Sequence, residues 1–342
     1  MRTEPKAPLA PLTTLGLGGP ATTLVEVADA DEAVAAVRAA DVEATPLLLL
    51  AGGSNVVVSD EGFDGTVVLL RSSGLAATRR GDVIDVTVAA GQDWDDVVAY
   101  AVAEGLAGIE CLSGIPGSSG ATPIQNVGAY GQEVAETVRS VTVYDRRDDD
   151  VVTLAPAECG FTYRHSVFKG DDRYVVLSVQ FSLLPSRRSV PLRFGELTRV
   201  LGVAAGGSAP LGDVRDAVLG LRRGKGMVLD PDDPDTRSVG SFFMNPVLDA
   251  DAFAALLERV RSRLGEVTPP RWEEPDGRVK TSAAWLIEHA GFAKGYGRDG
   301  VAISSKHTLA LTHRGGGTTG ALLGLAREVR DGVEAAFGVR LV

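Results

Sequence analysis

The stretch Ser113-Gly114-Ile115-Pro116-Gly117-Ser118-Ser119-Gly120-Ala121-Thr122-Pro123-Ile124-Gln125-Asn126-Val127-Gly128-Ala129-Tyr130-Gly131 constrains this chain more than any other. It holds five glycines and two prolines and carries almost no charge. A solvated loop of that length normally carries charge, so this one is expected to be buried. Small residues in a buried loop let the backbone approach a large flat ligand closely. Gln125 and Asn126 can both give and accept hydrogen bonds at a ring edge. A glycine-rich structural crossover would have the same composition.

A second glycine loop, Ala51-Gly52-Gly53-Ser54-Asn55, follows the apolar run Leu47–Leu50 that Pro46 opens. It is expected to join that strand to another beginning at Val56–Val58. Successive amides in such a loop can form an anion nest suited to a pyrophosphate, and an ordinary tight turn fits as well. The loop is not the dinucleotide fingerprint G-x-G-x-x-G, which must open a helix, and no Walker loop is present. A bound dinucleotide would require a different architecture.

The rest of the chain mixes periodicities. Asp31–Ala40 places Ala33, Val34 and Val37 on one helical face, and Val67–Leu70 reads as a strand. Val83–Val88 is a further strand. Asp93 can cap a helix carrying Trp94, Val97, Val98, Ala101 and Val102 on one side, with Gly105 as its C-terminal cap. Val138–Tyr144 and Val151–Leu154 form a hairpin across an acidic turn, and Tyr174–Leu184 is a long strand ending at Pro185. Helical patterns then cover Val214–Leu221, Phe253–Leu264, Ser282–Ala290 and Leu322–Phe337. These divisions suggest lobes at 1–79, 80–185 and 186–342.

Composition narrows the function classes. The net charge is −11 with no basic stripe, which argues against a duplex nucleic-acid binder. The acidic runs Asp145–Asp150 and Asp230–Asp235 are expected to be solvated turns. No apolar run reaches the roughly 18 residues of a membrane span, and Met1–Pro11 lacks a signal peptide's apolar stretch. A cytoplasmic monomer with no membrane partner is expected. Cys111 and Cys159 make no disulfide framework, and the four histidines show no zinc-type spacing, so no metal site is expected.

The order of the motifs is specific. Gly-Gly-Ser-Asn follows a strand, then come Ile-Pro-Gly and Pro-Ile-Gln-Asn-Val-Gly-Ala-Tyr-Gly. Phe161-Thr162-Tyr163-Arg164-His165-Ser166-Val167-Phe168, Gly240-Ser241-Phe242-Phe243-Met244-Asn245-Pro246 and the stretch Lys280–Ile287 complete the series. Together these resemble the UDP-N-acetylenolpyruvoylglucosamine reductase family from about Thr13 to the last residue. Leu192–Leu197 resembles the insertion of the family's larger type, which closes over substrate.

The resemblance implies an α+β fold: a two-lobed FAD-binding unit of the vanillyl-alcohol-oxidase type, then an α+β substrate-binding domain. It implies an FAD-dependent oxidoreductase of peptidoglycan precursor synthesis, in which NADPH reduces noncovalent FAD and the enolpyruvyl double bond of UDP-N-acetylglucosamine enolpyruvate then receives hydride. The FAD residues it implies are Gly52, Gly53, Ser54, Asn55, Pro116, Gly117, Thr122, Gln125, Asn126, Gly128 and Ala129. Arg164 would stabilise charge developing on the substrate carboxylate, and Ser241 would donate the proton to C2. Tyr163, Phe194, Lys225, Asn245 and Lys280 would hold substrate, with the two lysines on its diphosphate.

Two departures from the family pattern stand out. Phe194 occupies a position usually held by tyrosine. The family's catalytic glutamate lies beyond a Gly-Val-x-Leu pattern, which here is Gly338-Val339-Arg340-Leu341, so it would fall just past Val342. A flavin oxidase of the same superfamily and a catalytically impaired nucleotide-sugar binder are the alternatives, the first with Cys111 as its possible flavin tether.

Overall fold

The computed structural model describes residues 1–342, which divide into two compact units. The first comprises Met1–Leu12, Pro20–Gly53 and Gly62–Val228; the second comprises Thr13–Gly19, Ser54–Glu61 and Leu229–Val342. Residues 186–228 thus belong to the first unit's compact body, and the short loop at Gly52-Gly53-Ser54-Asn55 passes from one unit to the other. Helix and strand intermingle throughout, as the α+β expectation requires.

Besides a two-stranded sheet, the first unit contains two large ones. The smaller has the order β1-β2-β4-β3 (Arg2–Pro5, Ala21–Val27, Phe63–Leu70, Leu47–Leu50), with β2 and β3 both parallel to β4. Helix α1 (Ala30–Val42) covers it, and its N-cap Asp29 accepts from the Glu32 amide. The larger sheet runs β11-β10-β12-β6-β5 (Asp150–Leu154, Val138–Asp145, Tyr174–Pro185, Val83–Ala89, Leu75–Arg80), all antiparallel, with β7 (Leu106–Ala107) beside β12. Asp93 caps α2 (Trp94–Glu104) as expected, and Gly105 closes that helix at φ 70°. The two-residue strands β8 (Gly128–Ala129) and β9 (Gln132–Glu133) form a hairpin at the end of the long glycine loop.

Strand β12 serves two cores. A bulge between the Thr142/Ser178 and Val143/Val176 pairs leaves Leu177 as an extra residue. Because side chains alternate, one extra residue exchanges the faces. Before the bulge, Val175 and Leu177 join Val25, Val27, Val37 and Val68 under α1. After it, Val179, Phe181 and Leu183 join Trp94, Val97 and Val98 under α2. The Trp94 and Phe181 rings meet at 5.4 Å, and Trp94 Nε1 donates to the Leu112 carbonyl at 3.2 Å. That bond ties the core to the residue just before the glycine loop. Helices α3 (Gly195–Leu201) and α4 (Leu211–Gly224) complete the unit, packing Leu197, Val214 and Val218 with Cys111.

The second unit surrounds α7 (Thr319–Phe337), whose buried Leu322, Leu325, Ala326, Val329, Val333 and Phe337 follow the expected helical spacing. Around it lie β13 (Val247–Leu248), α5 (Ala250–Leu264), β14 (Arg271–Glu273), β15 (Val279–Thr281), α6 (Ala283–His289), β16 (Gly297–Arg298), β17 (Val301–Ile303) and β18 (Leu311–His313).

Val56–Val58 is not the strand expected after the short glycine loop; the next strand is β4. The segment instead anchors the start of α7. The Val58 carbonyl accepts from Thr319 Oγ1 at 2.7 Å, and Asp60 accepts from the Thr319 and Gly320 amides at 2.8 Å each. A carboxylate there satisfies amides that lack an intrahelical partner. The acidic runs also depart from expectation in part. Asp145 is buried and bound by Arg173, and Asp235 is buried and bound by Ser305 and Arg314. Pairing offsets the cost of burying these charges.

Candidate functional site

In the first unit the two glycine loops meet backbone to backbone. A Cβ on Gly52 would lie 2.6 Å from Gly117 Cα and 3.2 Å from the Ser118 amide nitrogen. Gly53 at φ 60° and Gly117 at φ 116° hold conformations that L side chains rarely adopt. The long loop is fastened to the β6–α2 junction: the Trp94 amide donates to Gly117, the Ser119 amide to Gln92, and the Gly120 amide to Ala90. Gly120 has no room for a side chain, since its Cβ would lie 2.5 Å from that of Ala90. Thr122 is buried and donates to the Ser119 carbonyl at 2.7 Å. Pro116 and Gln125 are half-buried.

Ser119 was not expected at the site. Its hydroxyl is fully buried and has no hydrogen-bond partner in the protein. A buried polar atom of that kind is normally matched by a ligand or an ordered water. With Gly52 of one loop against Gly117 of the other, two positions before Ser119, this region fits the phosphate-bearing part of a dinucleotide such as FAD. The only sequence signal was a pair of serines set among glycines.

The far end of the loop belongs to Arg164. Its guanidinium donates to the carbonyls of Gly128 (2.6 Å) and Asn126 (3.2 Å) and lies 3.4 Å from Glu133 Oε1. The Tyr163 ring stacks beneath it at 5.2 Å. A Cβ on Gly128 would come within 2.8 Å of Arg164 Nη1, so glycine is what lets the guanidinium rest on the backbone. The Asn126 side chain is engaged within the protein: Nδ2 donates to Glu133 (2.8 Å) and Thr162 (3.1 Å), and Oδ1 accepts from Ala135. Ala129 pairs with Gln132 across the β8–β9 hairpin.

Asn126, Tyr130 and Arg164 have φ of 45°, 50° and 53°. Such backbone costs of order 1 kcal/mol each for non-glycine residues and clusters where a site needs a fixed shape. Here two of the three are Arg164 itself and Asn126, whose carbonyl its guanidinium binds.

Tyr130 links Arg164's neighbourhood to the expected insertion. Phe194 meets Tyr130 edge-on at 5.3 Å, and Lys225 Nζ lies over the Tyr130 ring at 5.6 Å while donating to Glu196 at 2.7 Å. Burial first, and Glu196 next among the groups acting the same way, pushes the Tyr130 phenol up, with Arg222 opposing. Arg222 is itself pushed down to about 10 by burial. Just before the insertion, Val190 is fastened by Glu110, wholly buried, which accepts from the Gly108 amide at 2.6 Å and the Val190 amide at 3.0 Å. Cys111, the alternative tether, is buried and free, and burial pushes its thiol up, which makes it a poor nucleophile.

In the second unit, Ser241 is exposed and its hydroxyl lies 3.2 Å from His307 Nε2. His307 was also missed, because the contact spans 66 positions and no local pattern announces it. Its loop is braced at Ser305, which donates its amide (2.8 Å) and hydroxyl (2.6 Å) to Asp235. Burial acts to raise the Asp235 carboxyl, but bonds from Ser305 and Ser304 and the nearby Arg314 bring it below the usual carboxylate range. Asn245 Oδ1 accepts from the Ala283 amide at 3.0 Å and the Met244 amide donates to Val342 at 2.9 Å. Lys280 on β15 donates to Glu274 at 2.5 Å. Ser54 and Asn55 lie in this unit, Gly52 and Gly53 in the first.

Residues 21–155 match a family model described as FAD binding domain, and 232–342 match that of UDP-N-acetylenolpyruvoylglucosamine reductase, C-terminal domain. The chain is 62% identical over 337 residues to the UDP-N-acetylenolpyruvoylglucosamine reductase of Thermobifida fusca (strain YX), covering 98% of this chain and 95% of the relative. It is 58% identical to the corresponding protein of Streptomyces coelicolor (strain ATCC BAA-471 / A3(2) / M145), covering 98% and 88%. Among solved structures, the UDP-N-acetylenolpyruvylglucosamine reductase of Thermus caldophilus superposes with a TM-score of 0.65 at 25% identity, covering 97% of this chain and 95% of that one.

Proposed function

The chain belongs to the UDP-N-acetylenolpyruvoylglucosamine reductase family, and from that premise we propose that it reduces UDP-N-acetylglucosamine enolpyruvate to UDP-N-acetylmuramate for peptidoglycan precursor synthesis, with FAD bound noncovalently and NADPH as donor. FAD supplies the two-electron relay between NADPH and the enolpyruvyl double bond. Gly52, Gly53, Ser54, Asn55, Pro116, Gly117, Thr122, Gln125, Asn126, Gly128 and Ala129 form its site, and Ser119 adds the buried hydroxyl. Asn126 contributes by holding the loop's shape, since its amide is engaged with Glu133, Thr162 and Ala135.

The observation that carries the reading is the seat of Arg164 on the Asn126 and Gly128 carbonyls. An enolpyruvyl group that gains hydride at C3 develops negative charge at C2 and on its carboxylate. A planar guanidinium already held in place stabilises that charge without reorganising. Guanidinium has five N–H donors, of which three are engaged here, so two are available to a carboxylate. Ser241 then delivers a proton to C2. A serine hydroxyl is a weak acid unless its charge is shared, and His307 at 3.2 Å is the group placed to share it.

Lys225 and Lys280 take the diphosphate, with Tyr163, Phe194 and Asn245 against the rest of the substrate. Functionally, 1–79 and 80–185 serve FAD, with Tyr163 and Arg164 assigned to substrate, and 186–342 serves substrate. No helix is long and apolar enough to cross a membrane. The reading is of a cytoplasmic monomer acting on a small-molecule substrate, without nucleic acid or membrane. The test is anaerobic mixing of the holoprotein with NADPH and the enolpyruvyl substrate, with the product identified by mass spectrometry. One UDP-N-acetylmuramate per NADPH consumed is expected; NADPH oxidation with the enolpyruvyl ether left intact would sink the reading.

A further inference from the structure

Lys225 follows the last residue of α4 as its C-cap, where the helix dipole favours a cation. Its ammonium group already has an anion. Glu196 Oε2 accepts from Nζ at 2.7 Å, and the Tyr130 ring lies beneath the same nitrogen at 5.6 Å. Glu196 is in the first turn of α3, directly after the Phe194 N-cap region whose ring rests on Tyr130. The Lys225 and Glu196 side chains are 35% and 34% exposed, so the pair stands in a partly open place, where ion pairs are weak and exchange readily. Lys280 shows the same arrangement in the second unit, held by Glu274 at 2.5 Å. Each lysine assigned to the diphosphate is therefore seated on a glutamate.

A carboxylate oxygen and a phosphate oxygen are interchangeable to an ammonium ion: both are compact anionic acceptors of a charge-assisted hydrogen bond. We propose that Glu196 is a stand-in for a nucleoside diphosphate, holding Lys225 when no ligand is bound and giving way to a phosphate oxygen when one arrives. This rests on the reading that Lys225 contacts the substrate's phosphates. Glu196 keeps the lysine extended over Tyr130 rather than free to sample solvent. The cost is competition, which weakens only ligands that carry phosphate. Glu196 thus sets how strongly the site prefers ligands with phosphate over those without, because only a phosphate oxygen has to displace it from Lys225.

The experiment is calorimetric titration of the FAD-loaded protein with UDP and, separately, with uridine. It compares the unaltered chain, Glu196→Gln, Lys225→Ala and the double variant. Glu196→Gln is expected to tighten UDP about two- to fivefold, the range set by a partly exposed ion pair. It should leave uridine unchanged and have no effect once Lys225 is alanine. Glu196→Asp, which keeps the charge and shortens the reach, should fall between the unaltered chain and Glu196→Gln. Flavin absorbance and thermal midpoint check that each variant is folded. If Lys225→Ala weakens UDP but Glu196→Gln weakens it too or changes nothing, the stand-in role is wrong and the lysine's role stands. If Lys225→Ala leaves UDP binding unchanged, the lysine does not meet the phosphates and both fail together.

Discussion

Arg164 is gripped from several sides: two carbonyls of the glycine loop, the Glu133 carboxylate and the Tyr163 ring all hold its guanidinium. Ser241, by contrast, is exposed, and its hydroxyl meets His307 alone. The difference matches the two tasks. A group that stabilises developing charge works best when it need not move, so it is built into a loop made rigid by glycine contacts and strained backbone. A group that gives up a proton each turnover must be reloaded, which an exposed hydroxyl beside an imidazole permits. Substitutions near Arg164 should therefore disturb the cofactor loop as well as the chemistry, and those near Ser241 should disturb chemistry alone.

The largest effect tests the first half of that contrast. Gly52→Val forces a branched side chain into a space where even a Cβ lies 2.6 Å from Gly117. The purified variant is expected to be nearly colourless, with little flavin recovered after acid precipitation, against a yellow unaltered protein that releases intact FAD. Normal flavin content in Gly52→Val would mean that the two loops do not form the cofactor's seat.

Arg164→Lys sharpens the contrast further. The charge stays, but a point cation cannot reproduce a planar fork that spans the Asn126 and Gly128 carbonyls. The rate of enolpyruvyl reduction should fall on the order of 10²–10³-fold, the loss typical of one preorganised electrostatic contact. FAD affinity should drop as well, because the loop loses its clasp. A rate loss with unchanged FAD affinity would uncouple the residue from the loop.

His307→Ala is expected to be milder. It removes one hydrogen bond worth about 1 kcal/mol from the Ser241 hydroxyl, or about fivefold in the protonation step. Flavin content should be unaffected. An effect as large as that of removing Ser241 would make the imidazole the donor itself.

The smallest effect concerns acid stability away from the site. Hydrogen bonds from Arg173 first, then the Arg147 backbone, hold the Asp145 carboxyl at about 2. A carboxyl lowered on folding contributes stability above its unfolded value near 4 and loses it as pH falls toward the folded value. Thermal midpoints of the unaltered chain should therefore decline between about pH 4 and pH 2, and Asp145→Asn should flatten that part of the curve. Parallel curves would place the acid sensitivity elsewhere.

The sequence disclosed local features well because their causes are local. Asp93 and Gly105 bracket α2 by cap chemistry, and the spacing Leu322, Leu325, Val329, Val333 defines α7 by periodicity. Features set by distant partners were hidden. Leu177's bulge, which exchanges the faces of β12, leaves no mark in the sequence, because the apolar run Val175-Val176-Leu177 puts apolar side chains on both faces there. Val56–Val58 has strand composition but is claimed by the start of α7, more than 250 positions away. Asp145 and Asp235 look solvated in acidic runs because their partners Arg173 and Arg314 lie far along the chain. At the site, motif residues such as Gly52, Gly117 and Arg164 could be named in advance. Ser119 and His307 could not, since one is marked only by an unmet hydrogen bond and the other only by proximity.

The most direct test of the account separates the two half-reactions in Ser241→Ala by stopped flow. Anaerobic NADPH should bleach the bound flavin at a near-normal rate. Reoxidation by UDP-N-acetylglucosamine enolpyruvate should slow by something like 10²–10⁴-fold, the usual consequence of losing a positioned proton donor. Equal slowing of both half-reactions, or none in the second, would contradict the division of labour between Arg164 and Ser241.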